Sequence, residues 1–563
     1  MTKDRMTVGL DDKPLLSCEQ KTIAQGTDNH SSFFRHSFVI RHSSFVILLL
    51  SLMLAGCDPW PSPNAVAPLP PSTKLVATKE TEASAEDKRK GEERTEETWD
   101  AVFLQGQKIG YGSNVRKEMM RDGQVARVEW NVKQVMRIKR FGQIAEQTLQ
   151  FSTVESPSGE IESLGASFTG GMNMQVTGGL RNGMLQLAIT TQGRTSTQSV
   201  PWKDEYRGFF GLEESLRAKP MVAGEERRVF HLQPVVNEVV ADDLTAIGEE
   251  ETQLLEGKRT LMKIKSVSKL SGQTIVNFLW ADASGNIWRS TMPGMMQEIY
   301  RTTKDKALEP SSEAYDLGRA TVVKVTRPLP NHAETKRVVY QAKLKAAKPS
   351  DVFPVCLSQS VEGIDEHTAK LIVRRISPTE PETLSETDAA LVQKPVPGDS
   401  SSNNLIQSDD ANVQKLARQV PDEGDAWKTA LAIEKFVNQK LAKKNFSQAF
   451  ATAADVAKNL EGDCTEHAVL VAALCRAHKI PARVAAGLVY YGPEQGFAYH
   501  MWNEAWIRDR WVPLDATLAR GGMGGGHIKL FDSNLEGAGA FSAFLPVINV
   551  LGQLELEILE VEN

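Results

Sequence analysis

Three residues of this sequence could do covalent chemistry together: a cysteine at a Gly-Asp turn, a histidine opening one strand and an aspartate closing the next. Cys464 stands in LEGDCTEHAVLVAALCRAHKIPARVAAGLVYY, His500 in YHMWNEAWI and Asp515 in RWVPLDAT. A cysteine so placed can be a nucleophile, a metal ligand or a thiol that merely packs. Asp463 is a suitable N-cap, which puts Cys464 in the first turn of an amphipathic helix running to about His478 and ending before Ile480-Pro481. Unpaired N–H groups and the positive end of the helix dipole favour a thiolate there, and the same groups can bind an oxyanion. A thiolate still needs a partner that pairs with it and protonates a leaving amine. That is histidine chemistry, and the histidine needs a third group to orient it. Cys464, His500 and Asp515 are a sufficient set.

The elements around them fit this use. DAWKTALAIEKFVNQKL places Trp427, Ala430, Leu431, Val437 and Leu441 largely on one helical stripe, and TAADVAKNL adds a short helix with a Thr452/Asp455 cap. Gly462 stops that helix. ARVAAGLVYY, YHMWNEAWI and RWVPLDAT read as strands, the last two joined by a tight turn at Arg508-Asp509. The C-terminal part is therefore α+β. From Trp99 to about Lys306, runs with two-residue alternation such as VARVEWNVKQVMRIKR recur between Gly and Asn turns, which predicts antiparallel sheet. RATVVKVTR, RVVYQAKLKA and TAKLIVRRI continue as strands, and SPTEPETLSETDAALVQKPVPGDSSSNN reads as a polar boundary loop.

The three blocks in order resemble the core of the transglutaminase-like superfamily, a papain-like thiol-enzyme fold. The resemblance implies Cys464 as nucleophile, His500 as general acid/base and Asp515 as the orienting group. It also implies an oxyanion donor, for which the Cys464 amide is one candidate and Trp427 a weak second; on its helix stripe Trp427 reads first as a core residue. Cys475 lies on the same helical face about three turns on and reads as a small hydrophobe. His467 reads as a wall or packing residue, since no second ligand pair makes a metal site with it. The aromatics Tyr490, Tyr491, Phe497, Tyr499, Trp502, Trp506 and Trp511 read mostly as sheet core. RGGMGGGH from Arg520 is too irregular for a phosphate cradle and reads as a mobile rim, with the role of His527 open.

Composition narrows the class. The chain has 563 residues, a net charge of −6 and no basic stripe, so it has room for several domains and nucleic acid is not an expected partner. The five cysteines form no C-x-x-C pair, no metal or cofactor is expected, and no D-x-[DN]-x-[DN]-G calcium loop occurs. Arg35 and Arg41 precede the apolar run FVILLLSLMLAGC, which has signal-peptide length, and Leu54-Ala55-Gly56-Cys57 resembles a bacterial lipobox with Cys57 as the lipidated residue.

The sequence thus predicts a multidomain α+β protein: signal peptide 1–57, disordered tether 58–97, antiparallel β domain 98–308, β-rich segment and polar linker 309–407, and catalytic domain 408–563. The expected product is an enzyme of the cell envelope, held to a membrane by its N-terminal lipid and acting on protein or peptide. Its expected reaction is acyl transfer from glutamine or peptide amides through a cysteine thioester, with hydrolysis favoured. A cross-linking transglutaminase and a non-catalytic binding protein are the alternatives.

Overall fold

The computed structural model describes residues 93–563, apart from 141, 171–172, 192, 235, 271–272, 312–314, 346, 379–383, 444–450, 520–522, 537–544 and 548. The expected signal peptide, Cys57 and most of the expected tether lie outside the described residues. Among those described, no helix is long and apolar enough to cross a membrane.

Residues 93–302 form one sheet of fifteen strands. Alternation of buried and exposed positions, as along Gln143–Glu155, gives each strand one face for the core. Gln105-Gly106, Asp122-Gly123 and Asn182-Gly183 each place two successive residues at positive φ, the two-residue turn whose twist matches an antiparallel pair. Sequence neighbours are therefore spatial neighbours almost throughout. The first strand, Glu93–Leu104, pairs with the last, Gln297–Thr302, in mid-sheet, and the meander is interrupted only between Arg194–Pro201 and the short strand Tyr206–Arg207. Trp130, Phe151 and Phe210 are fully buried in its core. Ordered strand begins at Glu93, so the tether expected to reach 97 ends earlier; Trp99, Ala101 and Val102 supply apolar area that a charged tether lacks.

The remainder combines helices with two smaller sheets. Four helices, α1 (Ala411–Ala417), α2 (Ala426–Lys440), α3 (Ala453–Asn459) and α4 (Cys464–Ala477), precede the strands β1 (Ala482–Tyr491), β2 (Gly496–Ile507), β3 (Arg510–Leu514) and β4 (His527–Ser533). In the sheet, β2 lies beside β1, β1 beside β4, and β3 pairs with β2. Every residue of α4 from Cys464 to Arg476 is buried, so this helix runs through the core with no exposed polar face, where an amphipathic helix was expected.

The segment expected as a β-rich stretch and polar linker, 309–407, is tied into the C-terminal half. RATVVKVTR supplies a short helix, Leu317–Ala320, and only a two-residue strand, Val323–Lys324, which pairs with β2 at Phe497 and Gly496. Arg337–Leu344 pairs with both Thr368–Arg374 and the chain's last strand, Leu554–Glu562. Sequence pattern finds these strands but not their long-range partners. The large sheet and the C-terminal half share one contiguous apolar core, and Arg194–Asp409 (2.9 Å) and Asn404–Ser196 (2.9 Å) join their surfaces.

Candidate active site

Helix α4 is fixed at its N-terminus before any catalytic role is considered. Gly462 has φ +152°, and a Cβ there would lie 2.3 Å from that of Glu466, so the turn requires glycine. Asp463 caps the helix by accepting from the Thr465 amide at 2.9 Å. Glu466 completes a capping box: one carboxylate oxygen accepts from the Asp463 amide and the other from the Ala451 amide, each at 2.9 Å. Burial, then the charge of Asp463, pushes the Glu466 carboxyl well above its usual range. Cys464, the first helical residue, is fully buried.

The second element is the β2–β3 hairpin. Arg508 and Asp509 both have positive φ and make the predicted two-residue turn. The resulting register sets Asn503 opposite Leu514, so Asp515, just beyond β3, comes within diagonal reach of His500. His500 Nε2 donates to Asp515 Oδ2 at 2.7 Å. A carboxylate can only accept this bond, which leaves Nδ1 as the ring nitrogen available to a thiol. α4 packs across β1 and β2, and Asn503 Nδ2 donates to the Ala468 carbonyl at 2.8 Å, pinning the His500 strand to the Cys464 helix.

Asp515 is saturated. Its Oδ1 accepts from the amides of Thr517 (2.9 Å) and Leu518 (3.2 Å), and its own amide donates to Glu434 Oε1 on α2 at 2.9 Å. Burial alone would raise its pKa, but the charge of His500 and the hydrogen bonds from both His500 and His527 outweigh that and hold the carboxyl well below the usual range. Asp515 is therefore ionised and oriented, as the third member of a triad must be.

The role left open for His527 now has a position. This residue opens β4, is 5% exposed, and directs Nε2 to the same Asp515 oxygen at 3.2 Å. The Trp502 ring sits 6.1 Å from His500 and 5.4 Å, edge to face, from His527. Glu434 was also missed: it lies on the buried stripe of α2 with Ala430, Ile433 and Val437, and burial pushes its carboxyl up to about 7. A carboxylate on an apolar stripe was the legible signal; His527 had none, because its site contact spans a loop. In its described part, Met523 to Gly526, that loop is not the expected open rim; 520–522 lie outside the described residues. Met523 to Gly526 are buried, and a Cβ at Gly524 would lie 2.4 Å from the His332 carbonyl and at Gly525 2.7 Å from Val338, while Tyr340 donates to the Gly525 carbonyl at 2.6 Å. The glycines permit close packing, not motion.

Other expected residues take plainer places. His467 Nδ1 donates to the Asp463 carbonyl at 2.6 Å and is buried, the packing role read from sequence. Cys475 is buried, and burial pushes its thiol up to about 12. Trp427 is half-buried on the first turn of α2, against the core. Among the described residues, His500, Asp515 and His527 are the group whose ligand atoms converge closely enough, within 4.8 Å, to suggest a cation. Their chemistry suits it poorly: both Nε2 atoms are spent on Asp515, and His527 Nδ1 is buried with no hydrogen-bond partner to orient a metal-bearing ring.

Residues 414–516 match the model of the transglutaminase-like superfamily, so this stretch is a transglutaminase-like domain. The match stops just after Asp515 and does not include His527. No curated protein matches the chain. Among solved structures it is similar to a candidate cysteine protease from Cytophaga hutchinsonii, with 19% identity over 41% of this chain and 89% of that one and a TM-score of 0.26. It is also similar to a β-barrel-like protein of a domain of unknown function from Brucella abortus, with 11% identity, 37% and 94% coverage and a TM-score of 0.28. A candidate protease from Parabacteroides distasonis ATCC 8503 shows 14% identity, 52% and 66% coverage and a TM-score of 0.16.

Proposed function

From a transglutaminase-like domain that carries a bonded His500–Asp515 pair beside the Cys464 helix, we propose that the protein is a thiol enzyme. It transfers the acyl group of a glutamine or peptide amide through a Cys464 thioester. The thiolate attacks the amide carbon, and the Cys464 backbone amide serves as the oxyanion donor, since Asp463 already accepts from the amides of Thr465, Glu466 and His467. The C–N bond then breaks as imidazolium His500 gives its Nδ1 proton to the departing amine, leaving the thioester. In the second half, His500 takes a proton from an incoming water whose oxygen bonds to the thioester carbon, and the C–S bond breaks to release a carboxylic acid and restore the Cys464 thiolate beside imidazolium His500. Asp515 holds the imidazole by Nε2 throughout and stabilises its charged form.

The observation that carries this reading is the 2.7 Å bond between His500 and a buried, ionised Asp515. The acceptor separates hydrolysis from cross-linking. We favour water because of its bulk excess; the packing of Met523–Gly526 withdraws the additional argument from an open rim. Because Cys464, His500 and Asp515 are all nearly or fully buried, a substrate reaches the thiol only after a local opening. The test is incubation with glutamine-containing peptides, with and without a labelled primary amine, read by mass analysis. Cleavage or deamidation that disappears in Cys464→Ala supports the proposal. Amine incorporation exceeding it points to a cross-linking enzyme, and no product at all to a non-catalytic role. We also propose that Cys57 carries a lipid anchor in the cell envelope; fatty-acid labelling that Cys57→Ser does not abolish would refute this.

A further inference from the structure

Catalysis by Cys, His and Asp does not require a second histidine on the aspartate, yet the fold supplies one. His500 and His527 converge on a single oxygen, Asp515 Oδ2, at 2.7 and 3.2 Å, while Oδ1 is filled by two backbone amides. His527 Nδ1 is buried without a partner. The neutral ring protonated at Nε2 leaves only an unfilled acceptor there, whereas a charged ring would bury an unsatisfied N–H, which is costlier. Resting on the thiol-enzyme reading, we propose that His527 is a positioning residue that donates a neutral hydrogen bond to Asp515 Oδ2 and limits the carboxylate's pull on His500.

Electrostatics agrees with the geometry. Burial first, and the neighbouring His500 charge with it, lowers the pKa of His527 despite Asp515. His500 from β2 and Asp515 beyond β3 are the charged groups acting on the ring. Lys529, two residues along β4, is spent on Glu504 and Asp532. Glu434 from α2 acts on Asp515 from the backbone side, and α4 contributes Cys464. A carboxylate oxygen shared between two donors attracts each less strongly. Without His527, Asp515 would bind the imidazolium more tightly, and His500 would release its proton to the leaving amine less readily.

The test needs no knowledge of the substrate. The rate of Cys464 alkylation by iodoacetamide, mapped by mass spectrometry across pH, has an upper step that reports the loss of the His500 proton from the thiolate pair. In His527→Phe that step should rise by roughly half a pH unit or more. In His527→Gln, whose side-chain amide can donate to the same oxygen, it should return toward wild type. Glu434 and its bond from the Asp515 amide are present in both variants, so the difference between them reads the donor at position 527. An unmoved step in a folded Phe variant, or an equal rise in the Gln variant, overturns the proposal. A second measurement is independent of variant folding: nitrogen NMR of the wild-type histidines should show His527 neutral and protonated at Nε2 in neutral and mildly alkaline solution. A charged ring, or one protonated at Nδ1, overturns it too. A wild-type Cys464 with no more reactivity than a free thiol would instead sink the thiol-enzyme reading, and the NMR result would still decide whether His527 donates to Asp515.

Discussion

Glu434→Gln should stabilise the catalytic half at alkaline pH and leave it unchanged in acid. Glu434 is 2% exposed, and burial raises its carboxyl from 4.5 to about 7, opposed by the Asp515 amide bond and reinforced by the Asp515 charge. Between those values the native state keeps a proton that the unfolded chain has lost. The stabilisation linked to Glu434 is therefore complete below about pH 4.5 and is lost as pH rises through 7. The displacement of about 2.5 units corresponds to about 3 kcal/mol at pH 8. Glutamine does not ionise and keeps an oxygen for the Asp515 amide, so it should recover most of that amount. Unfolding of the whole chain need not be two-state at this size. A local probe is better: urea-dependent pulse alkylation of Cys475, whose buried thiol becomes available only when α4 opens. The variant and the wild type should coincide near pH 4.5 and separate by up to about 3 kcal/mol near pH 8. A gap independent of pH, or a wild type more stable at pH 8, would refute the reasoning.

Two further predictions follow from the same geometry. Asp515→Asn removes the negative charge beneath His500 while retaining the shape, so turnover of any accepted glutamine peptide should fall by about 10²- to 10⁴-fold with little change in KM; a smaller fall would remove Asp515 from the triad. Gly525→Ala places a methyl 2.7 Å from the Val338 side chain and 2.9 Å from its amide, so it should destabilise the catalytic half by roughly 1–3 kcal/mol and raise proteolytic cutting between β3 and β4; a neutral outcome would restore the view of this loop as a free rim.

Much of the catalytic half was legible because its signals are local. Asp463 before Cys464, Thr452 before Ala453 and the Arg508-Asp509 turn each act within a few residues, and each appears where the sequence put it. Asn turns such as Asn182-Gly183 likewise announced the large sheet. What stayed illegible depends on contacts far apart in the chain. The pairing of Arg337–Leu344 with Leu554–Glu562 and the approach of His527 to Asp515 have no short-range signature. Gly524 to Gly526 were misread for a related reason: a run of glycine fits a mobile loop or a tightly crowded one equally well, and only the neighbours His332 and Val338 decide.

The central claim, a thiolate on Cys464 maintained by His500 and Asp515, is tested most directly by its alkylation in mildly acidic solution. Native and urea-unfolded protein are treated with iodoacetamide near pH 5.5, and the rates at Cys464, Cys475 and Cys356 are read separately by mass spectrometry. Native Cys464 should react faster than the same cysteine in the unfolded chain despite its burial, Cys475 should be protected, and His500→Ala should abolish the advantage of Cys464. A native Cys464 no more reactive than its unfolded counterpart, or one indifferent to the loss of His500, would contradict the account.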